Sequence, residues 1–169
     1  MFTNQESAIR LFEIQKNYTA TTLAVFNDET LNKAPVNGFR TVAELAAHCI
    51  IVRESCIGAI LADDSIIADL KVRFPHSEQI PAITLIGLLD IWRESWRIFR
   101  AGLDRIDWGK LDSPFKTHFG NYSTTRNYLS LILQEEIHHR GQMILICRLF
   151  GLTPPKAPYN EIAELGVEQ

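Results

Sequence analysis

Glycine and proline fall in four clusters, Pro35–Gly38, Pro75–Pro81, Gly109–Gly120 and Gly151–Pro158. The four long stretches before and between them are crossed only by isolated glycines. Proline inside a helix loses a hydrogen bond and clashes with the preceding turn, so the clusters mark joints. Within each stretch apolar residues recur at helical spacing, with no strand-like alternation. Four long helices without strand signals predict an all-α fold, a four-helix bundle occupying residues 1–169 as one domain. With 169 residues, 46% of them apolar, the chain can fill one core and is too short for two full-sized domains.

The first helix is expected from about Glu6 to Leu31. The second opens on Thr41-Val42-Ala43-Glu44, a capping box in which the Thr41 side chain accepts from the third amide and Glu44 reaches back. It should run to about Asp63, with a longer connection, Asp64 to Gln79, holding a short helix. The third should start near Pro81, since a first helical turn tolerates proline. Leu85, Leu89, Trp92, Trp96, Phe99, Leu103 and Ile106 follow at spacings of 4, 3, 4, 3, 4 and 3, a core seam. The fourth is capped by Ser123 or Thr124 and stops at Gly151, with Pro154 beyond. The tail, Leu152 to Gln169, should lie extended over the bundle before a last turn at Glu161–Leu165.

Seventeen basic against 20 acidic residues leave a net charge of −3, which gives no platform for nucleic acid. Arg93, Arg97 and Arg100 form a row on the third helix, but Asp90, Glu94 and Asp104 stand beside them, so that face reads as solvated and paired. The longest unbroken apolar run, Met143–Cys147, is far below the roughly 18–20 residues that cross a bilayer. Met1 to Gln15 lacks an apolar signal segment, and the expectation is a soluble cytoplasmic protein without membrane contact. Cys49, Cys56 and Cys147 make an odd count; Cys49 and Cys56 lie two helical turns apart, too far to bridge, and read as buried thiols. His76 and His118 fall in connections and read as surface residues.

The chemistry lies in polar residues that occupy apolar stripes. On the fourth helix the stripe is Tyr128, Ile132, Glu135, His139, Ile146 and Phe150, within roughly 60° of arc. On the second helix it is Leu45, His48, Val52, Cys56 and Ala59. If both stripes face the common core, two imidazoles and one carboxylate converge there. A lone buried carboxylate is strongly disfavoured unless it is paired, protonated or bound to a cation. A divalent metal would satisfy all three, since two histidines and a carboxylate suit zinc with an open position or non-haem iron. The same residues could instead form a hydrogen-bonded cluster, with Glu135 paired to His139, Arg140 or a protonated histidine. His138 points about 100° away from His139 and is expected to support the site or bond between helices. Gln142, one turn further, could orient a ligand or bond between helices. Gly141 suggests close approach of a neighbouring helix.

The run Glu135-Glu136-Ile137-His138-His139-Arg140-Gly141-Gln142, with His48 late in a capped second helix, resembles the DinB/YfiT-like family of metalloenzymes. The resemblance covers most of the chain. It implies a four-helix bundle holding a divalent metal, zinc or nickel foremost and iron as a further option. Its ligands are one histidine on the second helix and two on the fourth, four residues apart. His48 and His139 match, whereas Glu135 stands where most relatives have histidine, which makes the site more negative by one charge. The resemblance further implies a transferase or hydrolase in which the metal activates a low-molecular-weight thiol or water, working on another small molecule. No residue stands out as a general base, so the catalytic residues are not readable from the sequence. The alternative is a non-catalytic, metal-binding or stress-associated bundle, with the apolar end of the fourth helix offering a homodimer surface.

Overall fold

The computed structural model describes residues 4–75, 80–117 and 120–158. Helices α1 (Gln5–Leu23), α2 (Asp28–Leu31), α3 (Val42–Leu61), α4 (Asp64–Arg73), α5 (Leu85–Arg105) and α6 (Thr125–Leu149) follow in order. The long ones, α1, α3, α5 and α6, form the bundle, with α3 packed against both α5 and α6. The fold is therefore all-α, as the periodicity predicts.

Several boundaries differ from the sequence expectation. The first helix ends at Leu23 rather than continuing to Leu31, because Asn27 starts a new one. The Asn27 side chain accepts from the Thr30 amide while Thr30 Oγ1 accepts from the Asn27 amide, a local box that outcompetes helix continuation. The third long helix begins after Thr84, whose hydroxyl accepts from Gly87 N at 3.1 Å, four residues later than the proline suggests. The second keeps its predicted capping box, with Thr41 N donating to Glu44 Oε2 at 2.7 Å. Of the two candidate caps for the fourth, Thr124 is the one used.

A short antiparallel hairpin, β1 (Pro114–Lys116) and β2 (Tyr122–Thr124), was not expected. Its register pairs Phe115 with Ser123, and Phe115 packs edge-on against Tyr128 of α6. Three-residue strands are too short for alternation to announce them. The tail after α6 begins with Gly151 at φ +72° and then follows α1, where Lys156 and Pro158 lie beside Asn17 and Tyr18. The predicted turn at Glu161–Leu165, together with His76 and His118, lies outside the described residues.

The core is in two halves. One gathers Phe12, Ile57, Phe99, Leu103, Leu129 and Ile132 toward the start of α1. The other gathers Leu23, Ala46, Ile50, Leu88, Trp92 and Met143 toward its end. Between them runs a buried polar belt of Gln15, Thr19, Arg53, Ser95, Glu136 and Arg140. Arg53 Nη2 bonds Glu136 Oε2 at 2.7 Å and its guanidinium lies 4.2 Å over the Trp92 ring. The Thr19 hydroxyl donates to Glu136 Oε1 at 2.9 Å and accepts from Arg140 Nη1 at 3.3 Å. Every long helix thus contributes to one connected network, which is how buried charge becomes tolerable.

Candidate metal centre

His48 stands on α3 and Glu135 and His139 on α6, at the level of the polar belt. Glu135 and Glu136 are neighbours, as are His139 and Arg140. In each pair the second residue turns inward to the belt and the first faces the α3–α6 edge. The belt therefore fixes the rotation of α6 that brings Glu135 and His139 to His48. Glu135 Oε2 lies 3.1 Å from His139 Nε2 and 3.4 Å from His48 Nε2. One ligand atom from each of the three residues lies within 4.8 Å of the others. The rings of His48 and His139 meet edge to face, with centroids 4.7 Å apart.

The trio is shallower than two core stripes would place it. His48 and Glu135 keep 30% and 31% of their side-chain surface, while His139 keeps 9%. The true core face of α3 runs through Ala46, Ile50, Arg53 and Ile57, so the predicted stripe with His48 is its margin. A margin suits a functional site better than the centre, because a ligand can reach it.

Gln142 orders the group. An amide oxygen only accepts, so the 2.7 Å contact between His139 Nδ1 and Gln142 Oε1 places the imidazole N–H on Nδ1. The Gln142 amide nitrogen donates to His138 Nε2 at 3.2 Å. In neutral His139 the Nε2 lone pair then faces a carboxylate oxygen across 3.1 Å. Either a proton on Nε2 or a cation between the two makes that approach favourable. Burial holds His48 below the usual histidine range, helped by His139 and the Arg40 guanidinium and opposed by Glu135. The donor set is thus Nε2 of His139, an imidazole biased toward neutrality at His48, and a carboxylate. In a tetrahedral zinc site with bonds of about 2.0–2.1 Å, donor atoms stand about 3.3–3.4 Å apart. The His48–Glu135 distance of 3.4 Å matches that spacing and the His139–Glu135 distance of 3.1 Å falls just short of it, so the three residues could hold a divalent ion.

Arg140 turns to Gln15 O and Thr19 on α1, which removes it as the partner of Glu135. His138 is exposed and stacks edge-on against His139, its hydrogen bond running within α6 rather than between helices. Gly141 is exposed and an added Cβ would meet nothing within 4 Å, so close helix packing does not explain it. The arginine row is paired as expected, Arg93 with Asp90, Arg97 with Glu94 and Arg100 with Asp104. All three cysteines are free and buried; burial raises the Cys49 and Cys147 thiols and pushes Cys56 up to about 12.

A cavity of about 310 Å³ opens beside His139 and Gln142, walled by Leu45, Leu145, Ile146 and residues 38–40. Residues 1–166 match the model of the DinB family. The chain belongs to the DinB family. It is 23% identical over 156 residues to the uncharacterized protein YrdA of Bacillus subtilis, covering 92% of this chain and 88% of that one. A DinB-like protein from Bacillus cereus superposes with a TM-score of 0.72 at 21% identity, over 92% of this chain and 99% of its own. A conserved protein from Enterococcus faecalis gives 0.65 at 19% identity, over 88% and 97%. These likenesses establish the fold. Among the described residues of this DinB chain, no helix is long and apolar enough to cross a membrane.

Sequence reasoning missed the belt, although a signal was there. Arg53 and Glu54 interrupt an otherwise apolar run in α3, a helix with no polar face to receive them. Both are buried; Arg53 pairs with Glu136, and Glu54 with Arg73 of α4. Arg40, in the connection before α3, gave no periodic signal at all.

Proposed function

We propose that this DinB-family chain is a divalent-metal-dependent enzyme, with zinc or nickel held by His48, Glu135 and His139. In this reading it acts on a small molecule in the adjoining cavity, as a thiol-dependent transferase or a hydrolase. The observation that carries it is the convergence of two imidazole nitrogens on Glu135 Oε2, at 3.1 and 3.4 Å, at the edge of a ligand-sized cavity. When bound, the ion supplies a Lewis acid that lowers the pKa of a thiol or water brought beside it.

The protein's own residues prepare that position. Gln142 holds the His139 N–H on Nδ1 and leaves Nε2 free to ligate. Burial and Arg40 favour the neutral form of His48. Leu45 and Ile146 give the cavity an apolar wall. The buried cysteines, with thiols held protonated, are unsuited to act as nucleophile, which favours a thiol arriving from solution.

The test uses protein purified without a histidine tag, stripped with chelator and titrated with zinc and nickel. One equivalent should bind to the wild type, and His139→Ala and Glu135→Ala should fall to background. Metal-loaded protein should then accelerate reaction of a small thiol with chlorodinitrobenzene, or hydrolysis of an activated ester. Background metal in the wild type defeats the centre. Stoichiometric metal with no turnover, or turnover that survives chelation, leaves a metal-binding bundle and defeats the enzyme.

A further inference from the structure

One outward face of α6 is unlike the other long surfaces of the bundle. Ile137 and Leu145 keep 44% and 49% of their surface exposed, and Gly141 between them is exposed as well. On this helix Gln134, Ile137, His138, Ile144, Leu145 and Arg148 all fall within roughly 60° of Gly141. Arg148 brings the one permanent charge among them. The outward face of α5, by contrast, is laced with ion pairs such as Arg93–Asp90 and Arg97–Glu94. An exposed apolar row with its charges thinned out has the composition of a covered surface.

Gly141 indicates what covers it. Glycine inside a helix is costly, yet nothing across the gap lies within 4 Å of where its Cβ would stand. No helix of the same chain therefore explains it. The row is also self-complementary about this glycine. Ile137 and Leu145 stand four residues before and after it, and Gln134 and Arg148 stand seven before and after. A two-fold contact needs a surface on which residue i meets j of the copy while j meets i. Two copies of α6 crossing antiparallel at Gly141 meet that demand. Ile137 falls on Leu145 of the second copy, and Gln134 comes within reach of Arg148 of the second copy. A parallel crossing would set Arg148 against its own image. Rows of side chains four apart are the ridges by which helices most often pack, and a glycine at the crossing lets the two backbones approach closely.

We infer that the chain forms a two-fold dimer in which α6 packs antiparallel on α6 of a second copy, crossing at Gly141. Leu145 also walls the cavity beside His139, so Ile137 of the second copy becomes part of that cavity's rim. The inference goes beyond the metal-dependent reading and stands whether or not the centre holds an ion.

The experiment reads the mass of the full chain by sedimentation as its concentration rises. The mass should climb from 19.2 kDa toward twice that value. Ile137→Glu with Leu145→Glu should hold the chain at its single mass, with helical circular dichroism unchanged. Mild oxidation of cysteine variants then maps the contact, because the three native thiols are buried and do not compete. Gly141→Cys sits on the two-fold axis and should form a disulfide-linked dimer. Arg148→Cys should not, since antiparallel helices hold the two copies of that residue about 21 Å apart along the helix direction. A wild type that keeps its single mass up to about 100 µM overturns the inference. So does a dimer that survives the paired glutamates, or one that Arg148→Cys links as readily as Gly141→Cys. Should the paired glutamates unfold the chain, the cysteine variants decide alone.

Discussion

At the scale of single residues, Gln142 decides which nitrogen of His139 faces Glu135. Gln142→Leu removes the acceptor for Nδ1–H, and the ring loses its fixed tautomer. Zinc affinity should fall by roughly 10–100-fold, the usual cost of losing such support, with the fold intact by circular dichroism. An unchanged affinity would show that Gln142 orients nothing. His48 makes a pH prediction for the zinc-free protein. Its folded pKa lies below the value near 6.5 that it has when unfolded, so the unfolded chain takes up the proton first. Stability owed to neutral His48 is complete above about 6.5 and drains away as pH falls toward the lower folded value. Urea midpoints measured between about pH 7 and 5 should decline less steeply in His48→Gln than in the wild type. Parallel profiles would mean that His48 titrates alike folded and unfolded.

At the scale of elements, α6 carries two jobs on adjacent residues. Glu136→Leu strands Arg53 inside the bundle without its partner, and removal of one member of a buried pair costs about 3–5 kcal/mol. Replacing both residues together, Arg53→Met with Glu136→Leu, should recover much of that loss, read from denaturant midpoints. Two glycines predict opposite signs. Gly141→Ala should stabilise by up to about 1 kcal/mol, because the position is helical, exposed and has open space around it. Gly102→Ala should destabilise by about 1–3 kcal/mol, because its methyl would overlap Ile57 of α3. A single sequence presents both as glycines in helices. What separates them is the neighbour across the gap, which periodicity does not report. The same limit explains the break at Asn27, where a local hydrogen-bonded box beats an uninterrupted helical pattern.

At the scale of the whole molecule, an ion held by His48 and His139 would tie α3 to α6 and close a long loop. Zinc at 100 times its dissociation constant should raise unfolding free energy by about 2.7 kcal/mol, seen as a higher melting temperature that His139→Ala abolishes. The four long helices and the trio on them were legible in the chain. The Gly/Pro joints were strong, the Thr41 cap was explicit, and Glu135 and His139 were polar where their neighbours were not. The depth of the trio was not legible, because Arg53 and Glu136 claim the interior that His48 and Glu135 were expected to fill. The hairpin and Arg40 escaped because neither strands of three residues nor a loop arginine leave a period. Alternation of tasks along α6 has a final consequence. The helix behaves like a key with two cuts side by side, so an alanine inserted just before Leu133 would turn every later tooth by about 100°. Inner carboxylate and outer carboxylate would then each arrive at the wrong lock, and the bundle would forfeit its centre and its opening in one stroke.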